Sequence, residues 1–209
     1  MTIAPVELYA ANSSNSQRAA IMLEECGIPY RVRAVDLAGG EQRGDAFLAV
    51  NPAGAVPVMV DPAGPDGKPI ALMESGAILI YLAGKTGKFL PKADRAKYVA
   101  LQWLMFQMGG VGPMFGQAHH FMRAKKDEIP YGSERYGNEA KRLYGVMDKH
   151  LAKSAYFAPE YSIADMAIYP WVARYEWHRV DLAAFPAVKR WYDKVGVRPA
   201  VVKGMAVPS

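Results

Sequence analysis

The spacing of apolar and polar residues predicts a βαβ unit at the start of the chain. Alternating apolar residues at Val6–Ala10, and again over residues 30–36, are typical of short strands. Between them, residues 17–26 carry apolar positions at helical spacing, and Gly27 and Pro29 follow as stop signals. Two strands joined through a helix by short links are expected to be parallel, with a right-handed crossover.

A β-hairpin that leads into a helix is predicted over residues 51–85. Two apolar runs flank a turn that contains Asp66 and Gly67, and a helical pattern begins at Ser75. Pro57 stands in the first run, and because proline has no N–H it belongs at the start or edge of a strand. The main-chain groups of Val56 are then free for another partner. Together with the βαβ unit, the hairpin predicts a four-stranded mixed sheet of βαβ–ββα order, the thioredoxin-like arrangement.

The character of the chain changes after a linker at residues 88–94. Residues 95–209 show only helical periodicity, beginning with a helix over residues 95–108 that the following Gly-Gly-Val-Gly-Pro stretch should kink or break. Ser162 followed by Asp165 is typical of a capping box at a later helix start. The predicted fold class is α/β plus all-α, with a thioredoxin-like domain over residues 1–87 and an all-helical domain over residues 95–209.

Composition restricts the class of protein more than its function. With 209 residues, 51% of them hydrophobic and 22% charged, the chain is expected to be globular. The net charge of +5 suits an anionic small molecule or a solvated surface, and the basic residues form no dense run, so no nucleic-acid partner is expected. Neither a signal-peptide pattern nor a run of about 18 apolar residues is found, which predicts a cytoplasmic protein without a membrane span.

Few side chains could carry thiol or metal chemistry. Cys26 is the single cysteine, which excludes an internal disulfide and any Cys-x-x-Cys redox or zinc pair. Its place within an amphipathic helix predicts burial. His119 and His120 are adjacent, so on a helix they point in different directions, and no carboxylate pattern accompanies them. We therefore expect no metal site, and thiol chemistry would use Cys26 or a thiol brought by a ligand.

Several motifs resemble those of the cytosolic glutathione transferases. The motifs typical of the whole superfamily are Val56-Pro57, Glu74-Ser75, the capping box from Ser162 to Asp165, and Arg198-Pro199-Ala200. The helical half is most similar to the bacterial Nu class, which includes glutathione-dependent disulfide-bond reductases. The segments that carry this class similarity are residues 101–104, 107–114, 116–117, 119–121, 129–131 and 134–136. The resemblance covers nearly the whole chain.

The resemblance implies that glutathione binds as a co-substrate, without a metal. Val56 would pair strand-like with the cysteinyl part of the tripeptide, and the bond to Pro57 would be cis. Ser75 would bind the γ-glutamyl carboxylate at the amino end of a helix, and Glu74 would bind the ammonium group. From the residues alone, this Glu-Ser pair could equally be an ordinary helix cap. Two further binding residues are implied, Gln42 and Arg135.

The resemblance also implies where the glutathione thiol is activated. The class motif Thr-Pro-Asn, whose Thr and Asn contact the sulfur, aligns with Ser13-Ser14-Asn15, which implies Ser13 and Asn15 as catalytic residues. Serine keeps the hydroxyl donor of threonine, whereas the loss of the proline leaves Ser14 as an alternative. The same serines could also only cap the helix. Tyr9 lies within a strand, so a catalytic tyrosine is not expected.

The function implied by the resemblance is that of an enzyme, a transferase and oxidoreductase in one. Activated glutathione would attack disulfides or small electrophiles, and since the chain has no cysteine pair, glutathione would supply both thiols. A homodimer is implied, and the aromatic-rich residues 103–121 are its predicted contact surface. The alternative is a non-catalytic member of the fold that acts as a protein-interaction module. Retention on immobilised glutathione would distinguish the two.

Overall fold

The computed structural model of the protein describes residues 5–124 and 129–208. The chain forms two compact units. The first holds the residues up to Lys88 together with those from Arg198 onwards, and the second is Phe89–Val197. The carboxy-terminal segment therefore groups with the amino-terminal one, while the division into domains at residues 87 and 95 stays a prediction.

A four-stranded mixed sheet forms the centre of the first unit. Its strands are β1 (Val6–Ala10), β2 (Tyr30–Ala34), β3 (Val58–Asp61) and β4 (Ile70–Leu72), in the order β2-β1-β3-β4. Strands β1 and β2 are parallel, with Leu8 opposite Val32, whereas β3 pairs antiparallel with both β1 and β4. This is the predicted βαβ–ββα order, and the thioredoxin-like fold is confirmed.

Four α-helices lie in the part of the first unit that the structure describes. They are α1 (Ser14–Cys26), α2 (Asp45–Leu48), α3 (Ser75–Thr86) and, from the end of the chain, α9 (Pro199–Met205). Helix α1 ends where Gly27 adopts a φ of 69°, the left-handed conformation that glycine favours at this position. Helix α9 packs tightly against α1, since a Cβ added to Gly204 would lie 2.5 Å from the backbone nitrogen of Ile21. This close approach requires glycine and joins the end of the chain to the first unit.

Helices make up the second unit. They are α4 (Asp94–Phe106), α5 (Gly112–His119), α6 (Pro130–Leu151), α7 (Ile163–Val172) and α8 (Pro186–Gly196). Their core is aromatic, because the Phe157 ring packs against Trp103 and Trp191 at centroid distances of 5.0 and 5.1 Å. In the part of this unit that the structure describes there is no strand, which confirms the predicted all-α character.

Between α4 and α5 the chain widens into one π-helical turn, Gln107–Val111. The Gly112 N–H donates to the carbonyl of Gln107, five residues earlier, and Pro113 follows as the second residue of α5. The residues before Pro113 are already helical, so the helical backbone continues past the proline, and the π turn lies where a proline would otherwise disturb the α-helical hydrogen bonds. Where the glycines and the proline predict a kink or a break, the helix thus continues through a π turn.

The capping box predicted at the start of α7 is present. Ser162 Oγ accepts from the Ala164 N–H at 3.2 Å, and the Asp165 carboxylate accepts from the Ser162 N–H at 2.9 Å. Asp165 is fully buried and also accepts from Trp191 Nε1–H at 2.8 Å. Burial raises the pKa of Asp165 to about 6, although these donors act to lower it. One carboxylate therefore links α7 to α8.

Two sequence expectations concern the surface. Within residues 5–124 and 129–208, no helix is both long and apolar enough to cross a bilayer. The aromatic-rich stretch predicted as a contact surface is partly internal, since Trp103 and Phe115 are buried in the second unit. Tyr98 and Met105, which also belong to α4, are exposed to solvent. Helix α4 thus contributes to the core and also presents apolar side chains to solvent.

Candidate functional site

The amino end of α1 is capped by a pair of serines. Ser13 has an extended backbone, and its Oγ accepts a hydrogen bond from the Ser16 N–H at 3.1 Å. The two hydroxyl oxygens are 3.0 Å apart, and Ser16 Oγ accepts from the Ala11 N–H at 3.2 Å. Ser13 is half-buried, and Ser14, the first residue of the helix, is buried. Ser13 therefore performs the capping role that the sequence left open.

Asn15 lies half-buried in the first turn of α1. Its Oδ1 accepts a hydrogen bond from a guanidinium N–H of Arg18, one turn later on the same helix. Arg18 is only 2% exposed, and burial lowers its pKa to about 9 against the opposing influence of the Glu74 charge. Since arginine has donors only, the amide oxygen of Asn15 must face Arg18 and its Nδ2 must face away.

The segment before β3 forms a tight loop around Asn51. This side chain is buried and donates from Nδ2 to the Ala55 carbonyl at 2.6 Å, while its Oδ1 accepts a main-chain N–H two residues later at 2.9 Å. The loop ends at the Val56–Pro57 peptide bond, which is cis, as the resemblance implied. The antiparallel ladder with β1 begins only at Val58, so Val56 lies before it.

The connection from β4 to α3 places Glu74 and Ser75 at a helix start. Glu74 has φ 65° and ψ 105°, a region that non-glycine residues rarely occupy, and its side chain is exposed. Ser75 is the first residue of α3 and is 3% exposed. The first N–H groups of a helix have no intrahelical partner and lie at the positive end of the helix dipole. This helix start can therefore attract an anionic group.

A cleft in the first unit brings these three elements together. Its empty volume is about 330 Å³. The residues that line it are Asn15, Asn51, Ala53, Ala55, Val56, Pro57, Glu74 and Ser75. The cleft combines a side-chain amide, main-chain groups outside the sheet, a carboxylate and a helix amino end. Such a set suits an extended ligand that carries both peptide groups and charged ends.

Gln42 borders the loop of the cleft but is not among its lining residues. It lies in the 3₁₀ turn Glu41–Arg43, and its Nε2 donates to the Leu37 carbonyl at 3.4 Å. Its Oε1 is buried and has no hydrogen-bond partner among the described residues. The backbone of Gln42 packs on the loop, because a Cβ added to Gly54 would lie 3.2 Å from its carbonyl oxygen. An amide acceptor without a partner among the described residues thus lies buried beside the loop.

Arg135 belongs to the second unit, where its exposed side chain projects from α6. It lines a groove of about 820 Å³ with Met114, Tyr136, Asn138, Glu139 and Arg142. Arg142 donates two hydrogen bonds of 2.8 Å to Glu139 and holds the pKa of that carboxyl below its usual value. Because this pair is neutral as a whole, Arg135 gives the groove a net positive charge.

His119 and His120 lie in different environments, as expected for neighbours on a helix. The His119 ring stacks on Trp171, and burial together with the charges of Arg174 and Arg123 lowers its pKa to about 4. His120 is exposed. Over the described ranges, no group of three or more His, Cys, Asp or Glu residues could hold a metal ion.

Cys26 is buried in α1, as predicted. It is 8% exposed, its sulfur lies 3.5 Å from the hydroxyl of Thr86, and burial raises the pKa of its thiol. A buried thiol with a raised pKa is a poor nucleophile, because only the thiolate attacks. Thiol chemistry at the cleft therefore requires a thiol that the ligand brings.

Two residues that shape the cleft were not predicted from the sequence, Arg18 and Asn51. Arg18 stands three residues after Asn15, a spacing that places both on one face of a helix, and this spacing is the available signal. Asn51 begins an Asn-Pro-Ala-Gly stretch, in which an asparagine side chain can bond to the backbone two residues on. Both side chains are polar and buried, and each forms a hydrogen bond to a residue that lines the cleft.

Comparison with protein families agrees with this architecture. The glutathione S-transferase N-terminal domain matches residues 12–85, a range that contains every residue lining the cleft. The glutathione S-transferase C-terminal domain matches residues 130–194, within the helical unit.

Two curated relatives from Escherichia coli (strain K12) align with almost the whole chain. Disulfide-bond oxidoreductase YfcG is 46% identical over 197 residues, which cover 93% of this chain and 92% of the relative. Disulfide-bond oxidoreductase YghU is 36% identical over 217 residues, covering 97% of this chain and 75% of the relative.

Solved structures show the same fold with ligands bound. A glutathione transferase from Pseudomonas putida, with one glutathione disulfide bound per subunit, matches with a TM-score of 0.95 at 42% identity. The match covers 98% of this chain and 92% of the Pseudomonas putida chain. A glutathione transferase family member from Pseudomonas fluorescens pf-5, with two glutathione bound, has a TM-score of 0.93 at 44% identity, covering 97% and 93%. The matches to both domains and the identity to these relatives establish that the chain belongs to the glutathione S-transferase family.

Proposed function

We propose that the protein is a glutathione transferase with glutathione-dependent disulfide-bond reductase activity. The observation that carries the proposal is the cleft, where the amide of Asn15, the backbone at Val56 and the helix start at Ser75 line one space. The relatives named disulfide-bond oxidoreductases, and the neighbouring structures with glutathione or its disulfide bound, support it. Small electrophiles are alternative acceptors for the same thiolate.

The cleft holds glutathione through groups that match its parts. The main chain of Val56, which lies before the ladder of β3, pairs with the cysteinyl residue, beside the cis bond to Pro57. The amino end of α3 and the Ser75 side chain bind the γ-glutamyl carboxylate, and the Glu74 carboxylate binds the ammonium group. In these assignments, each polar group of the cleft pairs with a complementary group of the cysteinyl or γ-glutamyl residue of the tripeptide.

Two further residues are proposed to bind the ligand. Gln42 contacts the peptide part through its amide, whose buried Oε1 has no partner among the described residues. Arg135 meets a carboxylate of the ligand, which the net positive charge of its groove supports. These two residues supply affinity and carry no chemical step.

Asn15 is the main group proposed to contact the thiol. A free thiol of this kind has a pKa of about 8.5, and a donor near the sulfur favours the thiolate that attacks. The Nδ2 of Asn15 is such a donor, since its Oδ1 is bonded to Arg18. Ser13 is the second proposed donor, but its hydroxyl already bonds Ser16. Asn15 therefore carries the larger part of the activation.

The reaction consists of two thiol–disulfide exchanges. The thiolate of the bound glutathione attacks one sulfur of a substrate disulfide, forms a mixed disulfide and releases the other half as a thiolate, which takes up a proton. A second glutathione thiolate then attacks the mixed disulfide, so that glutathione disulfide forms and the remaining substrate thiol leaves. Two glutathione molecules are oxidised and one substrate disulfide is reduced, and no protein thiol takes part.

We further propose that the protein acts as a homodimer in the bacterial cytoplasm. The exposed apolar side chains Tyr98 and Met105 on α4 provide surface for a second copy. A free, buried cysteine is compatible with a reducing compartment. Several of the similar proteins, among them those from Escherichia coli, Pseudomonas putida and Pseudomonas fluorescens, are bacterial, which supports the same setting. Light scattering during size-exclusion chromatography measures the mass of the assembly and would contradict the dimer if it gave a monomer.

The decisive experiment measures reduction of a small disulfide by glutathione, with and without the protein. We expect the wild type to accelerate the reaction and Asn15→Ala to lose most of the rate while still being retained on immobilised glutathione. Asn12→Ala, an exposed asparagine in the loop before α1, is the matched control and should keep the rate. A folded wild type that binds no glutathione would contradict the proposal and favour the non-catalytic interaction module.

A further inference from the structure

A buried arginine stands directly behind the proposed thiol-binding amide. Arg18 is 2% exposed, and it donates a hydrogen bond to Asn15 Oδ1. Arginine is almost never fully buried unless its charge is paired, because removing the charge from water is costly. Asn15 lines the cleft, and Arg18 is not among the lining residues. The charge is therefore held beneath the site, one side chain away from the space a ligand would fill.

The bond between the two side chains settles which end of the amide meets a ligand. An asparagine amide has an acceptor oxygen on one side and a donor nitrogen on the other, and in isolation either could face the cleft. The guanidinium of Arg18 offers donors only, so it can bond the oxygen and never the nitrogen. The donor Nδ2 of Asn15 is thereby turned away from Arg18, and it is a donor that a thiolate needs.

The guanidinium also acts through its charge. The carboxylate of Glu74, which lines the same cleft, interacts electrostatically with Arg18. A positive charge in a partly dry environment favours a nearby anion more strongly than it would in water. A thiolate that Asn15 contacts would lie within the influence of this charge, whereas a neutral thiol would gain nothing from it.

We propose that Arg18 is a positioning residue that holds the Asn15 amide with Nδ2 towards the glutathione sulfur and, through its charge, favours the thiolate over the thiol. This inference rests on the proposed function, because it assumes that glutathione occupies the cleft. Arg18 itself does not touch the reacting atoms. Its effect should therefore appear in the ionisation of the bound thiol and not in the binding of the rest of the tripeptide.

The test titrates the thiol of bound glutathione by its ultraviolet absorbance, and it measures binding of S-methylglutathione, which has no thiol. In Arg18→Met we expect the pKa of the bound thiol to rise by about one unit and kcat/KM at neutral pH to fall about tenfold. Affinity for S-methylglutathione should be unchanged. Arg18→Lys keeps the charge and should recover part of the loss. Lys203→Met, which removes an exposed positive charge on α9, should match the wild type.

Several outcomes would overturn the proposal. A wild-type thiol pKa in Arg18→Met would show that the arginine has no influence on the sulfur. An equal loss of affinity for glutathione and S-methylglutathione would show a purely structural role. If Arg18→Met does not fold, the same titration is made on Arg18→Gln, which keeps an N–H donor but not the charge. A bound-thiol pKa in Arg18→Gln equal to that of the wild type would contradict the proposal. If the wild type itself fails to bind glutathione, the proposed function fails instead, and the two failures are distinct.

Discussion

The imidazole rings of His119 and His178 lie parallel in the second unit, with their centroids 4.5 Å apart and an angle of 5° between their planes. His178 is fully buried, and its Nδ1 lies 3.0 Å from the hydroxyl oxygen of Tyr144. Neither Nε2 has a hydrogen-bond partner among the described residues. Burial lowers the pKa of both imidazoles, and two charged rings at this separation would also repel each other strongly, so both are neutral near pH 7 in the folded protein.

The first prediction is a loss of stability in mild acid. Burial and the charges of Arg174 and Arg123 lower the pKa of His119 to about 4, below the ordinary value of 6.5. Between these values the unfolded chain binds more protons than the folded one, so stability falls as the pH is lowered from about 6.5 to 4. The variant His119→Phe keeps a stacking ring but has no imidazole to protonate. Between pH 6.5 and 4 its free energy of unfolding, measured by urea denaturation, should fall by about 2 kcal/mol less than that of the wild type.

His120→Phe is the control for this measurement. It changes the neighbouring residue, whose side chain is exposed, and should keep the pH dependence of the wild type. Equal acid sensitivity of His119→Phe and the wild type would contradict the prediction.

The second prediction concerns the buried carboxylate of Asp165. Replacing it with alanine leaves Trp191 Nε1–H and the main-chain N–H groups of Phe157 and Ser162 without their acceptor. Because each buried donor without a partner costs about 1–3 kcal/mol, Asp165→Ala should lower the free energy of unfolding by roughly 3 kcal/mol or more. Asp193→Ala removes an exposed carboxylate that is paired to Lys189 at 2.7 Å. That control should change stability by no more than about 0.5 kcal/mol, and equal losses would contradict the argument.

The same capping box illustrates which structure the sequence could predict. Ser162 and Asp165 interact within one turn, so their arrangement follows from residue type and spacing alone. The π turn before α5 does not follow from residue type and spacing in the same way. A Cβ added to Gly112 would lie 2.9 Å from the side-chain nitrogen of Gln107, a contact that exists only once the helix has formed. Glycine and proline indicated an irregularity there, but not its kind.

In the candidate site, too, some residues could be predicted from local sequence and others only from the structure. Pro57 and Ser75 were found because a proline in a strand and a helix start are visible in a sequence. Arg18 was missed because a charged residue on a helix is by default expected at the surface, and only the structure shows that it is 2% exposed. The periodicity over residues 95–209 likewise predicted helical structure at the end of the chain, but it did not predict that α9 packs against α1, which the close approach of Gly204 to Ile21 shows.

The third prediction tests this contact between α9 and α1. The Cβ of an alanine at position 204 would lie 2.5 Å from the Ile21 nitrogen and 2.6 Å from its Cα, and backbone atoms cannot move aside cheaply. Gly204→Ala should therefore lower the free energy of unfolding by about 2–3 kcal/mol, measured by urea denaturation. Gly145→Ala, in α6, is the matched control, since its Cβ would meet nothing within 4 Å. That variant should be as stable as the wild type or about 0.5 kcal/mol more stable, because alanine favours helix.

The last prediction separates the two properties of Glu74, its strained backbone and its charge. With φ 65° and ψ 105°, the residue occupies a conformation that costs about 1–3 kcal/mol for a side chain but little for glycine. Glu74→Gln keeps the strain and removes the charge, whereas Glu74→Gly removes both. Both variants should bind glutathione at least about tenfold more weakly in calorimetric titration, because a charged hydrogen bond to the ligand ammonium is lost. In urea denaturation, the free energy of unfolding of Glu74→Gly should exceed that of Glu74→Gln by about 1 kcal/mol, after the entropy of glycine is counted. Wild-type affinity in Glu74→Gln would contradict the ammonium assignment, and equal stability of the two variants would contradict the strain.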